Sequence, residues 1–246
     1  MKPDSSIWRF ANPARFMRAT DRLVVVLWIL AAMLVIPGLA WGLLLTPPDQ
    51  VQGTAVKIMF VHVPSALVAI NAWLMMLVAS IIWMVRRHHV SALAARAAAR
   101  AGMAMTAVAI LTGAIWGKPT WGAWWVWDPR LTSFLILFVC YAGYLALCHA
   151  SGNRERTADL AAYLCVAGSV FALLSRYSVV FWSQGLHQGA SLSLDRETHI
   201  HNVYYLPLLV CMAGFVILFL AQLLEGTRTE IRKNQLSALL ARSPGA

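Results

Sequence analysis

The stretch Leu23–Leu45, LVVVLWILAAMLVIPGLAWGLLL, contains no charged side chain. About 20 apolar residues are enough to cross the hydrocarbon core of a bilayer as a helix. This run therefore reads as a membrane span. It is too long for the core of a cleavable signal, which takes about 7–15 residues, and a long polar and basic segment precedes it. The composition agrees. Of 246 residues, 60% are hydrophobic and 12% charged, where a soluble domain carries about a quarter charged residues. The mean hydropathy is +0.66. Further apolar runs place spans near 58–85, 101–117, 131–149, 158–181 and 203–224. The third is short unless it begins within the Ala-rich stretch after Ser91. The expected fold is all-α, a single polytopic membrane domain over 1–246 with six transmembrane helices.

A formal net charge of +10 could point to nucleic acid. The basic residues, however, sit between apolar runs and not on one soluble face, so the expected surroundings are a lipid bilayer with no nucleic acid. With both termini on one side, that side collects the basic residues of the N-terminal tail, Arg86, Arg87, Arg96, Arg100, Arg154, Arg156 and the basic residues of the tail 225–246. Lys57, Lys118, Arg130 and Arg196 are left for the other side. The positive-inside rule then predicts that both termini are cytoplasmic. The segments 46–57, 117–130 and 182–202 face outward, and the tail 225–246 extends the last helix into the cytoplasm before fraying near Ser243. The four cysteines, Cys140, Cys148, Cys165 and Cys211, fall within apolar spans and form no CxxC or CxxCH pattern. They read as small buried hydrophobes, and neither redox chemistry nor covalent c-type haem attachment to this chain is indicated.

One outward segment is unusual. Trp116–Thr132 reads WGKPTWGAWWVWDPRLT and holds Trp116, Trp121, Trp124, Trp125 and Trp127, five of the chain's 11 tryptophans. Two readings stand beside each other: an interfacial aromatic belt, or a rigid surface for a flat apolar ligand. Trp8, Trp28, Trp41, Trp73 and Trp83 need only a belt or lipid packing. Gly117, Pro119 and Gly122 argue against a plain helical extension and for a shaped loop. Asp128 and Arg130 either hold that loop through charge-assisted hydrogen bonds or meet a ligand carboxylate and a partner surface. Pro129 suits the first turn of the next span.

The histidines divide by position. His88, His89 and His149 lie at the basic ends of spans, where interfacial solvation accounts for them. His62 in FVHVPSA, His187 in FWSQGLHQGA, and His199 and His201 before the last span fall on the outer side. His62 could be a hydrogen-bonded core histidine and His187 a loop histidine. An ionisable residue within a span is nevertheless costly unless paired or functional. Two neutral imidazoles beside a flat aromatic surface would suit six-coordinate iron in a porphyrin. A lone zinc fits less well, because no HExxH or closely spaced Cys/His set occurs. His199 or His201 could replace His187 in this reading. Arg176 either snorkels to the interface or pairs with a propionate or with Asp128, and Asn71 is expected to bond a neighbouring helix.

Trp116–Thr132 resembles the WWD signature of membrane haem-handling proteins in cytochrome c maturation. The chain as a whole is similar to the CcmC family, the small WWD proteins of the bacterial system I pathway. FVHVPSA around His62 and LHQG around His187 resemble that family's two histidine-bearing segments. The resemblance implies that His62 and His187 are the axial ligands of a haem b held at the periplasmic face of the bacterial inner membrane. The loop 116–132, with Trp116, Gly117, Trp121, Gly122, Trp124, Trp125, Trp127 and Asp128, would cradle the haem and dock the haem chaperone CcmE. Arg130 and Arg176 would contact propionates. Further implied partners are the ABC components CcmA and CcmB and the small subunit CcmD; this chain carries no P-loop of its own. No catalytic residue is implied, and the chain would assist haem ligation to its chaperone without being a self-contained enzyme. One departure is Phe181-Trp182-Ser183, where the family pattern often reads Trp-Trp-Asn. The rival readings are a permease subunit moving haem across the bilayer, which needs a polar mid-membrane path, and a c-type haem lyase. The larger WWD proteins that act as lyases have extra spans and an outer domain absent from this sequence.

Overall fold

The computed structural model describes residues 10–150, 154–181 and 201–242. They form six helices: α1 (Pro13–Ala40), α2 (Met59–Arg86), α3 (His89–Trp121), α4 (Pro129–His149), α5 (Arg154–Phe181) and α6 (Asn202–Leu240). All six are long and apolar enough to cross a membrane, and the chain has the all-α fold of a six-span membrane protein. The helices start where the sequence supplies caps. Asn12 Oδ1 accepts the Ala14 N–H at 2.9 Å ahead of α1, and His88 Nδ1 accepts the Ser91 N–H at 3.1 Å ahead of α3. A wide π-type turn, Trp41–Leu45, continues α1, and a short 3-10 turn, Thr54–Ile58, leads into α2.

Two helices are longer than their apolar runs. α3 begins at His89 and takes in the Ala-rich stretch after Ser91, and α6 continues to Leu240, extending the last span through the polar tail. The cause is a charge cluster between them. Glu230 on α6 accepts from Arg96 at 3.1 Å and Arg100 at 2.9 Å on α3. Charges that interrupt each hydropathy run neutralise each other across the helix pair, and Gly226 brings the two backbones close at Ala97. The same end of the bundle holds the start of α1, where Arg228 of α6 donates to Met17 O, Thr20 Oγ1 and Asp21 Oδ1. It also holds the end of α2, where Arg87 and Trp83 both donate to Asp159 of α5. The first and last helices therefore begin and end at one end of the bundle, the basic one.

Packing between helices relies on small residues, as expected where lipid removes the hydrophobic drive for association. A Cβ at Gly214 of α6 would lie 2.9 Å from the Val35 backbone nitrogen of α1, and one at Gly168 of α5 would lie 2.5 Å from Trp73 Cζ2. Trp73 is 0% exposed. Its ring meets Tyr141 edge-on at 4.7 Å, and its indole donates to Cys165 O and Ser169 Oγ. Trp73 and the buried Trp83 are core residues, not belt or lipid-facing ones as expected; Trp28 and Trp41 remain exposed. Asn71 also differs. It donates to Leu67 O of its own helix at 2.8 Å and is exposed.

Candidate functional site

The end opposite the ion pairs gathers the start of α2, the end of α3 and the starts of α4 and α6. His62 lies in the first turn of α2 with partial exposure. Its Nδ1 is 3.1 Å from Thr112 Oγ1 on α3. The neighbouring Gly113 lets the ring lie against α3, because a Cβ there would sit 3.1 Å from His62 Cε1.

The Trp segment is in large part helical. α3 runs through Gly117 and Pro119 to Trp121, so residues 116–121 are helix and only 122–128 are loop. Several local contacts hold this last stretch. Thr120 Oγ1 donates to Trp116 O at 2.8 Å and Lys118 Nζ donates to Gly122 O at 3.0 Å. Gly122, at φ +76°, supplies the left-handed residue that ends the helix. Gly117 is buried under the Trp121 ring, where a Cβ would lie 3.1 Å from Cε3. Asp128 caps α4, its Oδ1 accepting the Leu131 N–H at 2.6 Å ahead of Pro129.

The rings do not form one flat platform. Trp116 and Trp121 meet edge to face at 5.2 Å and 81°, and Trp125 and Trp127 do so at 5.7 Å and 77°. Both pairs take the edge-to-face arrangement that the ring quadrupoles favour. Trp116, Trp121 and Trp125 line a cavity of about 290 Å³ together with His62, Arg130 and His201. Trp124 and Trp127 are 58% and 77% exposed instead. The remaining wall is largely apolar, with Val63, Ile110 and Phe134. The Trp125 Nε1–H is buried within this region without a hydrogen-bond partner among the described residues. Such a donor costs free energy until something accepts from it.

Arg130 faces the cavity and feels both the Asp128 carboxylate and the Arg176 guanidinium. Arg176 itself is exposed and stacks over Tyr177, 5.8 Å from the ring centre, outside the cavity wall. His201 caps α6 through Nδ1, which accepts the Val203 N–H at 3.4 Å. His187 and His199 lie outside the described residues.

The segment 46–57 completes the wall, and sequence reasoning gave it no role. Gln52 Oε1 accepts the Trp116 indole N–H at 2.9 Å. Gln52 is held by Asp49, whose Oδ1 accepts the Val51 and Gln52 amides at 2.9 and 2.8 Å. These two amide bonds, Gln52's foremost, keep the Asp49 carboxyl below its ordinary pKa. Tyr204 of α6 donates to Pro47 O at 3.3 Å. Asp-Gln-Val-Gln-Gly over 49–53 is a readable turn signal, but nothing in the sequence ties it to Trp116.

A family model described as CcmC, heme exporter protein C, matches residues 6–242. The chain belongs to the CcmC family. Among its relatives, "Heme exporter protein C" of Paracoccus denitrificans is 60% identical over 239 residues, covering 96% of this chain and 98% of the relative. The protein of the same description from Rhodobacter capsulatus is 58% identical over 236 residues, covering 95% and 97%. That from Escherichia coli K12 is 34% identical over 235 residues, covering 96% and 92%. Membership of the family covers all six helices and the whole cavity, including Thr112, Gly113 and the 46–57 segment that sequence reasoning passed over.

Proposed function

We propose that this chain binds haem b in the cavity at the Trp-rich end of the bundle and presents it to the chaperone CcmE during cytochrome c maturation. The names of the relatives support a haem-related role. The observation that carries the reading is the convergence of His62, three tryptophans and Arg130 on one largely apolar cavity. The residues present fit the group: a neutral imidazole for iron, apolar and aromatic walls for a porphyrin, and a guanidinium with a buried, unsatisfied Trp125 N–H for a carboxylate. His62 and His187 are the proposed axial ligands, with Arg130 as the propionate contact.

When bound, haem supplies an iron centre that two imidazoles would saturate, which favours holding and handing over above oxygen chemistry. The chain's own residues do the rest. His62 offers a ring nitrogen from a fixed helix, and Trp116, Trp121 and Trp125 exclude water around it. Arg130 orients the carboxylate edge. Trp124 and Trp127 stand outside the cavity with exposed indoles. Exposed aromatic anchors are the residues that dock protein partners, so these two are assigned to CcmE. The concentration of basic residues at the opposite end supports placing both termini in the cytoplasm and the cavity at the periplasmic face of the inner membrane. The ABC components CcmA and CcmB and the small subunit CcmD are the further proposed partners.

The test is to co-express the chain with CcmE and measure two quantities: haem kept by this chain and haem covalently held by the chaperone. The double variant Trp124→Ala, Trp127→Ala is expected to keep its haem while chaperone loading falls several-fold. Full chaperone loading by that variant would remove the docking assignment.

A further inference from the structure

Thr112 and Gly113 form a seat for the His62 imidazole. The Thr112 hydroxyl has a single proton, and a helix carbonyl takes it. Its Oγ1 donates to Val108 O at 2.7 Å, with Ala109 O also in reach at 3.3 Å. Towards His62 Nδ1, 3.1 Å away, the same oxygen can then act only as an acceptor. With the hydroxyl proton assigned to the closer carbonyl, the neutral imidazole carries its own proton on Nδ1 and its lone pair on Nε2. Gly113 completes the fit by leaving free the space beside His62 Cε1 that a Cβ would crowd at 3.1 Å.

We infer that Thr112 is a positioning residue that fixes His62 in the Nδ1–H tautomer, making Nε2 the nitrogen that meets haem iron, while Gly113 holds the ring plane against α3. The inference rests on the reading of His62 as a haem ligand. Metal-bound histidines commonly donate their second N–H to an oxygen acceptor, which fixes the tautomer and raises the basicity of the ligating nitrogen. His201, which also lines the cavity, is held in the opposite sense. Its Nδ1 accepts a backbone N–H, so the neutral ring is protonated at Nε2 and is a donor there. The two histidines at one cavity are thereby given different roles, ligand and donor.

The test compares wild type, Thr112→Val, Thr112→Ser, Gly113→Ala and His62→Ala as full-length detergent-purified chains. Haem affinity, the reduction potential of the bound haem and the unfolding temperature are measured for each. Thr112→Val keeps shape but loses the acceptor. It is expected to weaken haem binding by about tenfold, the lower bound for such outer-sphere changes, and to raise the potential because the ligand becomes less basic. Thr112→Ser restores both values, and Gly113→Ala weakens binding by displacing the ring. Should Thr112→Val fold poorly, Thr112→Ala measured against Thr112→Ser gives the same comparison. Wild-type affinity and potential in the hydroxyl-free variants, with haem lost from His62→Ala, would overturn the seat and leave the ligand assignment standing. Undiminished haem in His62→Ala would overturn both.

Discussion

The two ends of this bundle are built on opposite rules. At the basic end, charges are matched across helices: Arg96 and Arg100 to Glu230, Arg87 to Asp159, Arg228 to Asp21. Glu230 is only 4% exposed, yet three cations reach it. At the Trp end, His62 and Trp116 have partners, but two other groups at the cavity are not matched in this way. Among the described residues the buried Trp125 indole N–H has no acceptor, and Arg130 is in none of the ion pairs. A protein can tolerate an unsatisfied buried donor where a ligand will satisfy it. One end holds the helices in register, and the other carries the proposed haem site.

Removing Glu230 should break the first end alone. Glu230→Ala leaves Arg96 and Arg100 without their counter-charge. A fully buried pair broken in this way costs about 3–5 kcal/mol. Partial exposure of both arginines, 27% and 36%, brings the expectation to about 2–3 kcal/mol. Thermal unfolding in detergent measures it, and haem bound per folded chain should stay at the wild-type value. A parallel loss of haem affinity would mean that the ends are not independent.

Trp125→Phe addresses the second end by removing one N–H and keeping an aromatic ring. If that donor serves a ligand carboxylate, the lost bond is worth about 1.5 kcal/mol or more, read as about tenfold weaker haem retention with little change in unfolding temperature. An orphan with no ligand role gives the reverse: retention unchanged and stability slightly raised.

The smallest effect is expected at Asp49. Its carboxyl is held below the ordinary value of 3.8 by the Gln52 and Val51 amides, so its contribution is complete above that value and is lost as the pH falls through the lower folded value. Protection of the Val51 and Gln52 amides, taken as exchange relative to the intrinsic rate at each pH, should fall on acidification below about pH 3.8. Asp49→Ala should show low protection at every pH. Protection of these amides that does not change with pH in the wild type would exclude Asp49 as the clasp that holds Gln52 against Trp116.

These contrasts also show why parts of the molecule could be read in advance and others could not. Uninterrupted apolar runs such as Leu23–Leu45 announce helices because composition alone decides their solvent. The Ala-rich stretch after Ser91 and the tail beyond residue 224 could be read as extensions of α3 and α6, but the pairing of Arg96 with Glu230 across 134 positions that holds them together could not. Gly117 and Pro119 suggested a loop, yet helix persists through both, aided by Thr120 and by the Trp121 ring on Gly117. At the site, His62, Trp116, Trp121, Trp125 and Arg130 stood out as costly or clustered residue types. Thr112, Gly113 and Gln52 did not, because their role lies in what they touch: hydroxyl, hydrogen and amide are ordinary in isolation.

His62 and His187 are the proposed ligands that hold haem iron at the Trp-rich end. The most direct measurement is the electronic spectrum of the haem in the detergent-purified chain, for wild type, His62→Ala, His187→Ala and the double variant. Two imidazole ligands predict a low-spin, six-coordinate haem in wild type, converted to another coordination state or lost in either single variant and absent from the double variant. An unaltered low-spin haem in the double variant would rule out both histidines as ligands.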